Sequence, residues 1–159
     1  MRFVLLDQLL QLQPGVAARA RAVFPEHLEL FADHFPGNPV VPGVLLTESM
    51  CQTAGWLIAA SCGFSSWPLL VRIDRANFRR LVPAGAPLVI EATIKGSRDE
   101  TYEVMAEVRS AGEGVADARL LFKLFRFDLA DTDAERFNDW AKETFTQLDG
   151  PAALAAAQG

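Results

Sequence analysis

Pro42-Gly43-Val44-Leu45-Leu46-Thr47-Glu48-Ser49-Met50-Cys51-Gln52-Thr53-Ala54-Gly55-Trp56-Leu57-Ile58-Ala59-Ala60-Ser61-Cys62 is the stretch on which the fold turns. Glu48 is its one charge, and no formal charge follows from Ser49 through Val71. A membrane-spanning helix needs about 20 predominantly apolar residues. Gln52, Thr53, Gly55, Ser61, Gly63, Ser65, Ser66 and Pro68 interrupt this run, and its apolar centre at 54–60 is too short to span. Membrane insertion is therefore excluded. The pattern predicts a helix over 44–62, opened by Pro42 and Gly43, since proline is tolerated in a first helical turn. A helix apolar nearly all round is buried on most sides. The rest of the chain must wrap around it.

The flanking segments supply the wrapping. N-terminal to the helix, an apolar stretch over 3–13 and alternating small and arginine residues over 16–24 flank Pro14-Gly15, a type II turn signal. Together they predict a hairpin. Residues 31–42 carry Pro36, Gly37, Pro39 and Pro42 and read as loop. Beyond Pro68, strands are expected over 69–78, 88–95, 101–108 and 115–127, separated by Pro83-Ala84-Gly85, by 96–99 and by 111–114. Their short links predict a four-strand antiparallel meander. The order is α+β, an antiparallel sheet curled around one buried helix. Ala134, Phe137, Trp140, Ala141, Phe145 and Leu148 follow helical spacing, with Thr132 and Glu135 as a capping box, so an amphipathic helix is expected over 133–148. The domain proper would then span 1–130, the packed C-terminal helix 131–150, and a frayed tail 151–159.

The chain has 159 residues, the size of one domain, with 50% hydrophobic and 22% charged residues, too apolar for disorder. Fifteen Lys and Arg against 20 Asp and Glu give −5, which gives a nucleic-acid partner no electrostatic support. Asp7 breaks the short apolar stretch after Arg2 and no small-residue cleavage site follows, so no signal peptide is read there. Cys51 and Cys62 are eleven residues apart on the predicted helix, about 16 Å of rise, too far to bridge. They read as buried free thiols in a reducing cytoplasm. Glu48 near Cys51 discourages a thiolate there. No Cys/His cluster has metal-ligand spacing.

The chemistry-bearing residues sit at the helix entrance. His34 lies in the rigid Pro/Gly loop, Glu48 in the second helical turn, and Gln52 at i+4 from Glu48 on the same face. Taken singly, a loop histidine is an ordinary polar residue and an early helical glutamate complements the macrodipole. His27 has no comparable setting. The combination is more specific.

Residues 31–55 resemble the signature of FabZ-type (3R)-hydroxyacyl-acyl-carrier-protein dehydratases. That pattern is G-H-F-P-G-x-P-x-x-P-G-V-L, then a short gap and E-A-M-A-Q-x-A-G. Here the register reads DHFPGNPVVPGVLLTESMCQTAG, with His34, Glu48 and Gln52 at the family's spacing. The segment Ile73-Asp74-Arg75-Ala76-Asn77-Phe78-Arg79-Arg80 is similar to the family's I-D-K-A-R-F-R-R. The resemblance extends over about 3–127.

The resemblance implies a hot-dog fold and a homodimer, or a trimer of such dimers, with tunnels at the subunit interface. Each site would take His34 from one chain and Glu48 from the other. His34 would be the base at C2 and Glu48 the acid at the C3 hydroxyl. Glu48 would act directly or through a water, Gln52 would hold the carboxyl or that water, and the backbone N–H of Gly43 would receive the thioester oxygen. The substrate would ride on the 4'-phosphopantetheine of an acyl carrier protein, with no metal or redox cofactor. Glu rather than Asp at position 48 points to dehydration without isomerisation. Arg72, Arg75, Arg79 and Arg80 form a basic cluster suited to an acidic carrier protein. The departures are Asp33 in place of the usual glycine, a missing N-terminal H-R-Y-P-F segment and the added C-terminal helix. They point to a specialised relative. The competing readings are a hot-dog thioesterase and a non-catalytic hot-dog subunit of a heterodimer.

Overall fold

The computed structural model describes residues 3–125 and 131–157, without the side chains of Asp33 and 131–134. The capping pair expected at Thr132, the effect of Asp33 on His34 and the last two residues of the final expected strand therefore lie outside the described residues. The elements run β1 (Gln8–Gln13), β2 (Ala17–Val23), α1 (Leu30–Asp33), α2 (Gly43–Ser61) and β3 (Trp67–Phe78). They continue with β4 (Pro87–Arg98), β5 (Thr101–Ser110), β6 (Glu113–Phe125), α3 (Asp131–Gln147) and α4 (Gly150–Ala156).

All six strands form one antiparallel sheet in the order β1-β2-β4-β5-β6-β3. The helix α2 touches every strand of it. This is the hot-dog arrangement, and α2 begins and ends within one residue of its expected bounds. Ten of its residues, from Leu46 to Ala59, are buried. Among them are Ser49 and Thr53, both fully buried. Each hydroxyl donates to the carbonyl four residues back, Ser49 to Leu45 at 2.9 Å and Thr53 to Ser49 at 2.9 Å. The uncharged run can thus carry hydroxyls into the core without an unmet hydrogen bond.

A row of small residues crosses the sheet beneath α2. Ala18 pairs with Ala92, Ala92 with Ala106, Ala106 with Ala118 and Ala118 with Ala76. The first four are buried in the core that contains Met50, Ala54, Leu57 and Ile58 of α2. Larger buried residues flank the row on β4, β5 and β6: Ile90, Val104, Val108 and Leu120. Small and large side chains alternating across facing layers let a helix seat without voids. The predicted turn at Pro14-Gly15 closes the first hairpin, with Gly15 at φ 77° and Val16 N–H donating to Gln13 at 3.1 Å.

Three expectations are corrected. The strands after α2 do not form a simple meander, since β3 pairs with β6 at the sheet edge and β4 pairs with β2. The link after β3 crosses the end of the sheet, and its backbone is tied at each step. Arg79 N–H donates to Val115, Val41 N–H to Val82, Ala84 N–H to Pro39, and Gly85 N–H to Phe24. Short links predict neighbours only when no other backbone competes for the strand edge, and here β2 does. Second, α1 adds a single helical turn where loop was read, because the Pro/Gly punctuation starts only at Pro36. Third, 150–156 is a helix rather than a frayed tail. Pro151 suits the first helical turn and the alanines after it favour helix. Leu9 N–H donates to Leu148 at 2.7 Å, Gln8 Nε2 donates to Asp149 at 2.7 Å, and Ala153 is buried, so the C-terminal segment covers the β1 side. Among the described residues no helix is long and apolar enough to cross a membrane.

Candidate active site

The loop carrying His34 is anchored to the 82–84 segment through residues 39–41. Val40 bridges to Pro83, Val41 N–H donates to Val82 at 2.8 Å, and Ala84 N–H donates to Pro39 at 3.0 Å. His34 follows α1 directly, with its Nδ1 at 3.0 Å from the Val40 carbonyl. A carbonyl oxygen only accepts, so Nδ1 carries a proton, and Nε2 is the ring nitrogen left for another partner. The ring rests on Phe35 at a centroid distance of 4.6 Å.

Glu48 is half-buried in the second turn of α2. Gln52 Nε2 donates to its Oε1 at 2.9 Å. The same amide grips the N-terminal segment: Leu5 N–H donates to Gln52 Oε1 at 2.9 Å, and Gln52 Nε2 also reaches the Phe3 carbonyl at 3.1 Å. One side chain therefore fixes both the carboxylate and the strand-like lead-in to β1.

Gly43 opens α2, and Pro42 supplies no side-chain cap. The first N–H groups of the helix have no intrahelical acceptor. A Cβ at Gly43 would lie 3.0 Å from two carbons of the Phe78 ring. Glycine is what allows the helix start to sit flush on β3.

Glu48 and Gln52 open onto an apolar pocket of about 490 Å³. Cys51, Gly55 and Trp56 continue its wall along α2, and Trp67, Leu69 and Leu70 of β3 form another side. His34 is not among its lining residues. The structure thus brings Glu48 and Gln52 together and leaves His34 of the same chain outside that pocket. The Cys51 thiol is pushed up to about 12, first by burial and then by the neighbouring Glu48 carboxylate. It lines the pocket as an inert group.

The arginine cluster is largely matched within the chain. Arg72 pairs with Asp74, Arg79 with Asp117 and Arg80 with Glu113. Arg75 has no ion pair among the described residues and lines a surface depression together with Lys95, Arg119, Asp74 and Glu103. Among the described residues no cluster of three or more His, Cys, Asp or Glu is arranged to hold a metal.

Sequence reasoning missed five contributors to the pocket. Phe3 and Val4 close it at the N-terminal side, and Phe137, Trp140 and Thr144 of α3 close it on another. The apolar spacing of α3 signalled a buried face but not what that face covers.

Comparison with known proteins places the chain. The model of the ApeI-like family, described as ApeI dehydratase, matches residues 11–115. A 3-hydroxyacyl-[acyl-carrier-protein] dehydratase FabZ of Chloroflexus aggregans is 34% identical over 122 residues, covering 76% of this chain and 84% of that protein. The FabZ of Acidiphilium cryptum is 35% identical over 119 residues, covering 73% and 72%. Among solved structures, an uncharacterized protein of Pyrococcus horikoshii superposes with a TM-score of 0.64 at 14% identity, over 78% of this chain and 86% of that one. The dehydratase heterocomplex ApeI:P of Xenorhabdus doucetiae matches with a TM-score of 0.54 at 18% identity, over 70% and 89%. These two likenesses show the shared fold. The family match over most of the chain and the FabZ relatives agree with the sheet-wrapped helix: the chain belongs to the ApeI-like family of dehydratases, close to FabZ.

Proposed function

We propose that this dehydratase removes water, reversibly, from a (3R)-3-hydroxyacyl thioester carried on the 4'-phosphopantetheine of an acyl carrier protein, at sites shared between two copies of the chain. The observation that carries the reading is the Glu48 carboxyl, held by Gln52 at 2.9 Å and opening on an apolar pocket. The C2 proton is weakly acidic and needs a base; the free Nε2 of His34 of the partner subunit takes it. The C3 hydroxyl leaves as water on receiving a proton from Glu48. Charge on the thioester oxygen is met by the Gly43 N–H at the positive end of α2. One proton leaves carbon and one joins the leaving oxygen, so the elimination balances with no redox or metal co-reactant. The product is the trans-2-enoyl thioester.

The sharing of sites rests on the edge strand β3. Leu69, Leu70, Val71 and Ile73 are all exposed on it. Phe35, Val44, Phe78 and Leu81 are exposed around the His34 loop and the helix start. A long apolar edge is a template for pairing with another chain. Pairing there supports the entry of a second copy's His34 toward the pocket that its own chain's His34 does not line. The acidic carrier protein docks against the arginine-bearing face of β3, where Arg75 is the unmatched charge.

Incubating the purified chain with 3-hydroxyacyl and 2-enoyl carrier-protein thioesters tests the reading. Interconversion of the two is expected. Release of free acid would instead indicate a thioesterase. Inertness relieved only by a second hot-dog protein would indicate a heterodimer subunit.

A further inference from the structure

Three residues of α2 share one face at i, i+4 and i+7: Glu48, Gln52 and Gly55. All three line the pocket. Seven residues of helix advance about 10 Å, so Gly55 lies that far along the wall from the carboxyl. Glycine is the poorest helix former after proline, and α2 is otherwise a well-packed core helix. Nothing in its packing demands a glycine here. A Cβ built on Gly55 meets only Pro68 Cγ, at 4.0 Å. The missing side chain is pocket volume.

The facing material comes from α3. Phe137 stands edge-on to Trp67 of β3 at 5.0 Å and lies 5.7 Å from Trp140. Phe145 lies 5.4 Å from Trp56 of α2. These rings hold α3 against the pocket. Trp140 remains 46% exposed although it lines the cavity, so it is a rim residue and not a core one.

We propose that the acyl chain beyond the reacting carbons runs along α2 past Gly55 and under α3, and that Gly55 and Trp140 set which acyl lengths are accepted. This rests on the dehydratase reading of the Glu48 site. Gly55 supplies space along α2, and Trp140 supplies an apolar wall at the rim of the pocket. Neither residue touches the reacting atoms. Both act on the discrimination between substrates.

Two variants with opposite expected signs test it. Gly55→Leu fills the space along α2, and the kcat/KM ratio of long over short 3-hydroxyacyl thioesters should fall roughly tenfold or more. Trp140→Ala opens the wall, and the same ratio should rise, by roughly tenfold. Thermal unfolding of each variant checks that it is folded. If both variants change all chain lengths by one common factor while the wild-type chain turns over normally, the inference is overturned. If the wild-type chain turns over no thioester, the dehydratase reading falls. Calorimetric binding of acyl-pantetheine amides of graded length to the same variants then decides the inference alone. Opposite shifts in length preference support it, and parallel changes overturn it.

Discussion

Gln52 lies one helical turn beyond Glu48 on α2 and donates its Nε2–H to Glu48 Oε1 at 2.9 Å, while its carbonyl oxygen holds the Leu5 N–H at 2.9 Å. In the proposed site the side chain positions the acid, and its bonds to Leu5 and Phe3 clasp the N-terminal segment. Gln52→Ala should lower kcat roughly tenfold to a hundredfold, at the lower end of what a well-aligned acid contributes. KM should move less than kcat. A purely structural clasp would instead lower the melting temperature with kcat preserved in the folded fraction.

His34 and Glu48 belong to different chains in the proposed site, which makes complementation possible. His34→Ala and Glu48→Gln should each reduce turnover by about 10²–10⁴-fold. Circular dichroism should show both variants folded. Unfolding and refolding the two variants together should restore activity, because each mixed dimer contains one site with both wild-type groups. A mixture as inactive as its components would place both residues in one chain's own site.

The exposed apolar edge of β3 should be needed for assembly. Ile73→Asp puts a charge on that edge, where Ile73 is 44% exposed. Light scattering should show the wild-type chain as at least a dimer and the variant as a monomer, with dehydration lost alongside. A variant that stays dimeric and active would move the interface elsewhere.

Cys51 should be unreactive. Its thiol is raised from 9.0 to about 12 by burial and by Glu48, so at neutral pH it is protonated and resists iodoacetamide. The sign for stability follows from proton uptake. Above the ordinary thiol value the unfolded chain loses its proton and the folded chain keeps it. Stability therefore falls as pH rises from about 9 toward about 12. Cys51→Ala should flatten that alkaline decline in a denaturant titration.

Most of the site was legible because its parts are local. The spacing of Glu48 and Gln52 guarantees a shared helical face, and their hydrogen bond needs no other element. The loop at 34–43 is equally local: its prolines and glycines stiffen it, and His34 closes it on Val40. The charge meaning of Arg79 and Arg80 was not legible. Asp117 and Glu113 arrive on β6, a strand whose pairing with β3 depends on the crossover.

By itself the sequence determined that a helix over the uncharged run must be buried, that strands surround it, and where the candidate residues His34, Glu48 and Gln52 stand along the chain. Hydrophobic patterning and turn chemistry act within a few residues, so they survive without a fold. The tertiary structure alone decided that β3 leaves its neighbour β4 for the far edge beside β6. It also decided that a row of alanines seats α2, and that α3 walls the pocket through Phe137 and Trp140. Those outcomes are set by competition among distant segments for the same strand edges and the same apolar volume. No local pattern records which segment wins.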